Sequence, residues 1–208
     1  MRKTDLVLTL IEIAGTLAFA LSGFIEAARK HMDIVGITTV AFVTAFGGGT
    51  LRDVLLDNRP FFWVAHSEYV WLVLALGVFG LVFLKAGHIE FTTRAMRLPD
   101  ALGLGLFTVA GTRAAMDFNQ PLIVAALMGM ITGVFGGVLR DVLCNEVPRI
   151  FRDGRPYAVC SFTGAWSFIG VQALGADGWV ALLTGVAVTA GLRLAALIGG
   201  WQVPGWRE

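Results

Sequence analysis

The chain has 208 residues; 56% are hydrophobic, another 26 are glycine, and only 15% are charged. A soluble domain is roughly 45–50% apolar with glycine included and roughly 25% charged, so this composition excludes a soluble globular protein, a disordered chain and a disulfide-rich secreted scaffold. What remains is an all-α integral membrane protein, and the net charge of +1 carries no polyanion footprint, so nucleic acid is excluded as a partner.

A membrane-crossing helix needs about 20 mostly apolar residues. In chain order, uncharged or nearly uncharged runs predict seven transmembrane helices, over residues 6–28, 34–57, 68–86, 99–117, 121–145, 157–175 and 178–200, in a single membrane domain. The first run, with Met1-Arg2-Lys3 before it and Ala18-Phe19-Ala20 within it, has the outline of a signal peptide. Asp5 and Glu12 sit badly in such a run, and the same segment recurs mid-chain, so it is read as a retained helix. Trp63, Trp71, Trp179, Trp201 and Trp206 fall near predicted helix ends and fit an interfacial belt. Cys144 and Cys160 form no CxxC, and His31, His66 and His88 have no metal-ligand spacing; no tightly bound metal and no cofactor is expected.

The chain repeats itself at an offset of 88 residues. Gly48-Gly49-Thr50-Leu51-Arg52-Asp53-Val54-Leu55 matches Gly136-Gly137-Val138-Leu139-Arg140-Asp141-Val142-Leu143. Gly15, Phe19, Gly23 and Ala27 match Gly103, Phe107, Gly111 and Ala115, and Glu12 meets Asp100. From 12 to 60 there are 13 identities in 49 positions without a gap. Repeat 1 (6–86) and repeat 2 (99–175) hold three predicted helices each, with 178–200 as an appended seventh. An odd number of crossings makes the second copy enter from the opposite side, which is an inverted-topology repeat, and such proteins place their sites at the repeat interface.

Basic residues set orientation. One side receives Arg2, Lys3, Arg52, Arg59 and Arg113, and the other receives the remaining eleven of the 16, Arg155 and Arg207 among them. The positive-inside rule then predicts an N-terminus outside and a cytoplasmic C-terminus.

Gly47, Gly48 and Gly49, followed by Thr50, lie inside one predicted helix, and Gly133, Gly136 and Gly137 inside its counterpart. Consecutive glycines destabilise a helix interior by about 1 kcal/mol each, so they predict a kink or an unwound turn at matching places, which points to a permeation or binding site. The other reading is close helix packing through small residues. Arg52-Asp53 and Arg140-Asp141 follow the glycines, and Glu12 and Glu26 are further acids inside predicted helices. A charge at mid-membrane is costly unless paired or wet, so these groups line a watery path, lock the repeats together or snorkel to the interface. Neighbours in a helix do not face each other, so neither arginine is expected to pair with its adjacent aspartate. The expected partners are reciprocal: Asp141 for Arg52, and Asp53 for Arg140. Arg113 and Arg193 are further ionisable candidates. Gly15, Phe19, Gly23 and Ala27 share one helix face and predict close packing. No HExxH, GxSxG or P-loop pattern is present, so no enzyme is expected.

Two three-helix repeats plus a seventh helix, with Gly-Gly-Gly-Thr-Leu-Arg-Asp in the second and Gly-Gly-Val-Leu-Arg-Asp in the fifth, resemble the trimeric intracellular cation (TRIC) channel family over essentially the whole chain. The likeness is strongest to its short prokaryotic members. It implies a homotrimer in the inner (plasma) membrane, contacting membrane lipids, with one pore per subunit conducting monovalent cations, chiefly potassium. It implies that the glycine-rich kinks shape the pore, at Gly47, Gly48 and Gly49 and at Gly136 and Gly137; Phe135 stands where the first copy has Gly47. Related bacterial sequences are described as glycine transporters. A carrier of glycine or another small neutral amino acid is therefore the alternative, and a non-transporting scaffold ranks last. The Thr-Val-Gly-Tyr-Gly filter of selective potassium channels is missing from the sequence, so any selectivity should be weak.

Overall fold

The structure is a computed structural model and describes residues 3–85, 93–152, 154 and 156–202. Arg2, residue 86, His88, Arg155, Trp206 and Arg207 lie outside the described residues. The described chain is helical: α1 (Lys3–Arg29), α2 (Ile34–Leu55), α3 (Phe62–Ala65), α4 (Ser67–Lys85), α5 (Thr93–Asp117), α6 (Leu122–Leu143), α7 (Arg149–Arg152), α8 (Ala158–Ala173) and α9 (Gly178–Gly199). A long helix occupies each of the seven expected segments, and α3 and α7 are single turns in the connections. Among the described residues, four helices, α1, α2, α6 and α9, are long and apolar enough to cross a membrane. The chain is thus a helical membrane protein.

Helix ends follow from local chemistry. Asp33 caps α2 by accepting a bond from the Gly36 amide at 2.7 Å. Four helices end on a non-glycine residue with positive φ: His31, Asp57, Asn119 and Asn145. After α2 the Asn58 amide donates to Asp53 O and the Asp57 amide to Val54 O; after α6 the Glu146 amide donates to Asp141 O and the Asn145 amide to Val142 O. This is the Schellman arrangement, which uses carbonyls the helix leaves unpaired. His31 and Asn119, like Asp57 and Asn145, are 88 positions apart. The bounds of α2 shifted by 88 are the bounds of α6.

The centre is built by α1, α2, α5 and α6; α4 packs outside α1 and α2, while α8 and α9 pack outside α5 and α6. Phe19 and Phe107 stack with ring centroids 5.3 Å apart. The small residues beside them let this happen: a Cβ on Gly15 would meet the Phe107 ring at 3.2 Å, and one on Gly103 would collide with the Phe19 ring. The shared face of Gly15, Phe19, Gly23 and Ala27 is therefore a packing face, buried throughout.

A correction concerns the glycine runs. α2 is continuous helix through Gly47–Gly49, and α6 through Gly133–Gly137, so no unwound turn forms at either place. The glycines let the two helices approach instead. A Cβ on Gly48 would collide with Thr132 O, and one on Gly136 would lie 2.5 Å from Thr44 O. Thr44 and Thr132, like Gly48 and Gly136, are 88 apart, so the contact is reciprocal. Close backbone approach between helices offsets the glycines' helix cost, and the ladder need not open.

Candidate functional site

Among the described residues, Arg140 is the most completely engaged charge. Near the C-terminal end of α6 and 1% exposed, it donates Nη1 to Asp100 Oδ1 at 2.5 Å and to Ser22 Oγ at 2.5 Å. Its Nε and Nη2 donate to Asp141 Oδ1 at 3.0 and 2.9 Å. Tyr157 Oη donates to Asp100 Oδ1 at 3.3 Å. One guanidinium thus joins α1, α5 and α6, and it faces two carboxylates. Around this group Glu26, 1% exposed, pairs with Arg29 and, at 3.3 Å, with Arg149, and Lys30 pairs with Glu146. Arg193, buried on α9, donates Nη1 to Pro156 O at 3.1 Å and lies 4.5 Å from the centroid of the Tyr157 ring.

The opposite end presents the same residue types in a looser arrangement. Arg52 donates Nε to Asp53 Oδ1 at 2.8 Å, its Nη2 lies 2.8 Å from the same oxygen, and its guanidinium sits 5.2 Å from the Phe62 ring centroid. Glu12, the position matching Asp100, does not reach it. Among the described residues Glu12 accepts a single bond, from Tyr69 Oη at 3.4 Å, and forms no ion pair. Glu12 and Arg52 both line a cavity of about 370 Å³ with Asn58, Ala114 and Phe118.

Two expectations need correcting. Each arginine pairs with the aspartate next to it, and the reciprocal cross-pairs Arg52–Asp141 and Arg140–Asp53 are not formed. The rule that helix neighbours diverge holds for side chains leaving at the Cβ, but arginine has three methylenes and folds back. The aspartates are held where it can reach them because each also ties down the following connection. Asp53 Oδ2 accepts the Phe62 amide at 2.7 Å, and Asp141 Oδ2 accepts the Arg149 amide at 3.0 Å. The expectation that neither arginine is bare does hold, since both are buried against carboxylate.

The glycines expected at the site divide between places. Gly47 and Thr50 line a separate, apolar cavity of about 410 Å³ between α2 and α6, with Phe46, Trp63, Phe135 and Leu139. Thr50 Oγ1 accepts from Trp63 Nε1 at 3.0 Å. Gly49 backs the Phe62 ring, Gly137 backs the Tyr157 hydroxyl, and Gly133 faces Leu104 O on α5. Arg113 pairs with Asp117 at 2.9 Å along an exposed face of α5. No group of three or more His, Cys, Asp or Glu side chains among the described residues is placed to hold a metal ion.

Ser22, whose hydroxyl the sequence offers for a bond across helices, makes that bond to Arg140. Asp100, Tyr69 and Tyr157 complete the two clusters without being expected there as site residues, although the signal for all three is in the sequence. Asp100 pairs with Glu12 in the repeat register, and Tyr69 and Tyr157 are also 88 apart, beyond the stretch where identity is dense.

Residues 9–85 and 97–173 each match the family model described as Glycine transporter. The chain is also 37% identical to a solved TRIC trimeric intracellular cation channel orthologue from Rhodobacter sphaeroides, covering 94% of this chain and 99% of that one with a TM-score of 0.85. The chain belongs to the TRIC family. A UPF0126 membrane protein of Vibrio cholerae is 35% identical over 191 residues, 92% of this chain and 79% of that protein. The UPF0126 inner membrane protein YadS of Escherichia coli K12 is 33% identical over 194 residues, 93% of each chain. At 17% identity, a trimeric intracellular cation channel from C. elegans with bound Ca2+ shares the fold, with a TM-score of 0.59.

Proposed function

We propose that the protein is a monovalent cation channel, chiefly potassium-permeable, working as a homotrimer in the inner (plasma) membrane with one pore per subunit. The observation that carries this reading is the likeness to the Rhodobacter TRIC channel over nearly the full length of both chains. The cavity at Glu12 supplies an entrance, since this half-buried carboxylate borders open space and carries no ion pair among the described residues. The pore then runs between α1, α2, α5 and α6, whose central crossing at Gly48 and Gly136 limits its width. Seven membrane crossings, arranged as inverted repeats 6–86 and 99–175 with 178–200 appended, belong to this reading. The offset of 88 between helices of equal bounds supports them. The N-terminus lies outside and the C-terminus in the cytoplasm, on the distribution of basic residues.

A second reading is a carrier of glycine or another small neutral amino acid. The family model's description and the presence of a carboxylate (Glu12) and a guanidinium (Arg52), unpaired with each other, on the walls of one cavity favour it, because a zwitterion presents the opposite charge to each. Purified protein reconstituted in planar bilayers and in liposomes separates the two. Unitary potassium currents are expected; saturable uptake of labelled glycine without currents would replace the channel with the carrier.

A further inference from the structure

The cavity at Glu12 and the ion-pair cluster at Arg140 are connected by one stripe on each of two helices. On α1, Thr16, Phe19 and Glu26 follow Glu12 by 4, 7 and 14 residues, which puts all four on one side of the helix. On α5, Asp100, Leu104, Phe107 and Ala114 have the same spacing at an offset of 88. Glu12 and Ala114 line the cavity, while Glu26 and Asp100 belong to the ion pairs at the other end. Midway along both stripes stand the two phenylalanines, their rings stacked at 5.3 Å and 18°. Phe62 lines the cavity and its ring meets the Phe107 ring edge-on at 6.3 Å, so the stack begins at the cavity floor. The Phe19 ring lies against Gly103, one turn of α5 from Asp100, so the stack ends where the ion-pair cluster begins. Thr16 lies between Glu12 and this stack. Thr44, Thr108, Thr112, Thr132 and Thr189 are buried and each donates to the carbonyl four residues earlier. Thr16 is equally buried, yet its hydroxyl has no partner among the described residues. Leaving a buried hydroxyl unbonded is costly, and here it leaves a neutral oxygen below the Glu12 carboxylate.

We infer that the stacked Phe19–Phe107 pair is the hydrophobic barrier of the cation path, and that it sets both the conductance and the largest cation admitted. The inference rests on the reading that a cation enters at Glu12. Past Glu12 and Thr16 the ion meets ring carbon and the glycines that seat the rings: a Cβ on Gly15 would lie 3.2 Å from the Phe107 ring, and one on Gly136 would lie 3.1 Å from the Phe19 ring. Such a constriction holds water poorly, so the ion sheds much of its hydration there. The negative ring faces offset part of that loss for a monovalent cation. A small divalent ion such as Mg²⁺ gives up water reluctantly and faces a higher barrier. Because the two rings occupy matching positions of the internal repeat and both are buried, the barrier is shared between them.

Unitary currents of the purified full chain in planar bilayers test this for the parent, Phe19→Ala, Phe107→Ala and, as a packing control, Phe168→Ala. Phe168 is a fully buried phenylalanine of α8 in a separate apolar cluster. Phe19→Ala and Phe107→Ala are each expected to raise potassium conductance by about threefold or more and to admit tetramethylammonium, which the parent excludes. Phe168→Ala is expected to leave both properties as they are in the parent. Where an alanine variant does not elute as the parent does on size exclusion, leucine at that position takes its place, with a smaller rise in the same direction expected because it keeps most of the volume. Unchanged or reduced conductance in the Phe19 and Phe107 variants, with currents in the parent, overturns the barrier alone and leaves the rings as packing. A rise at Phe168 equal to that at Phe19 also overturns it, since loosened packing would then account for both. A rise at one ring only overturns the shared barrier. A parent silent in bilayers overturns the proposed function, and the inference falls with it.

Discussion

Arg52 and Arg140 have nearly identical sequence surroundings and different environments. Arg140 contacts two carboxylates and a serine hydroxyl at 1% exposure, while Arg52 has one carboxylate and borders a cavity. Removing one partner of a buried pair leaves the other charge uncompensated, at a typical cost of about 3–5 kcal/mol. Arg140→Ala is therefore expected to lower unfolding stability in detergent by about that much. Arg52→Ala should cost less, because Asp53 keeps the Phe62 amide and Asn58 as partners. Equal losses, measured by chemical denaturation, would remove the distinction. Glu12→Gln keeps the side chain's shape and its tyrosine partner, so it should reduce single-channel potassium conductance while leaving stability within about 0.5 kcal/mol of the parent. Unchanged conductance would take Glu12 out of the permeation path. At this scale the candidates were largely legible, since intramembrane charge is costly enough to mark a residue wherever it occurs. Their partners were not. Whether arginine folds back on its neighbour or reaches across depends on what else holds the neighbour, and Asp53 and Asp141 are held by amides nine and eight residues further on.

The elements that matter most are α2 and α6, which cross at glycine. A Cβ at Gly48 or Gly136 would press on a carbonyl of the facing helix, and a backbone atom cannot rotate away. Gly48→Ala and Gly136→Ala are therefore expected to destabilise by about 1–3 kcal/mol through overpacking, although alanine favours helix. Gly170 in α8 has open space where its Cβ would stand. Gly170→Ala should accordingly stabilise by about 0.5–1 kcal/mol through helix propensity alone. Thermal unfolding of the three variants tests the contrast, and a loss at Gly170 equal to that at Gly48 would refute it. Within one helix, where no contact offsets the glycines' low propensity, the runs read as helix breaks. The partner helix supplies that contact, and its position is not written in α2.

For the molecule as a whole, likeness to trimeric channels leads to an expected trimer, to be checked by cross-linking of membranes and native mass spectrometry of purified protein. A monomer under both conditions would count against it. A reporter fused after Glu208 should be active only in its cytoplasmic form. What the amino-acid sequence determined by itself is the membrane class, the positions of the long helices and the register of 88 that relates them. These are local or self-referential signals: a run without charge is costly to expose to water, and a duplicated segment repeats its own pattern. What only the tertiary structure decided is which end is open, which carboxylate each arginine meets, and that the glycines serve contact with unbroken helix. The physical reason is that similar local sequences acquire different environments from the segments packed against them. The choice between them rests on contacts between distant segments, such as Lys30 with Glu146 and Arg140 with Asp100, that no window along the chain contains.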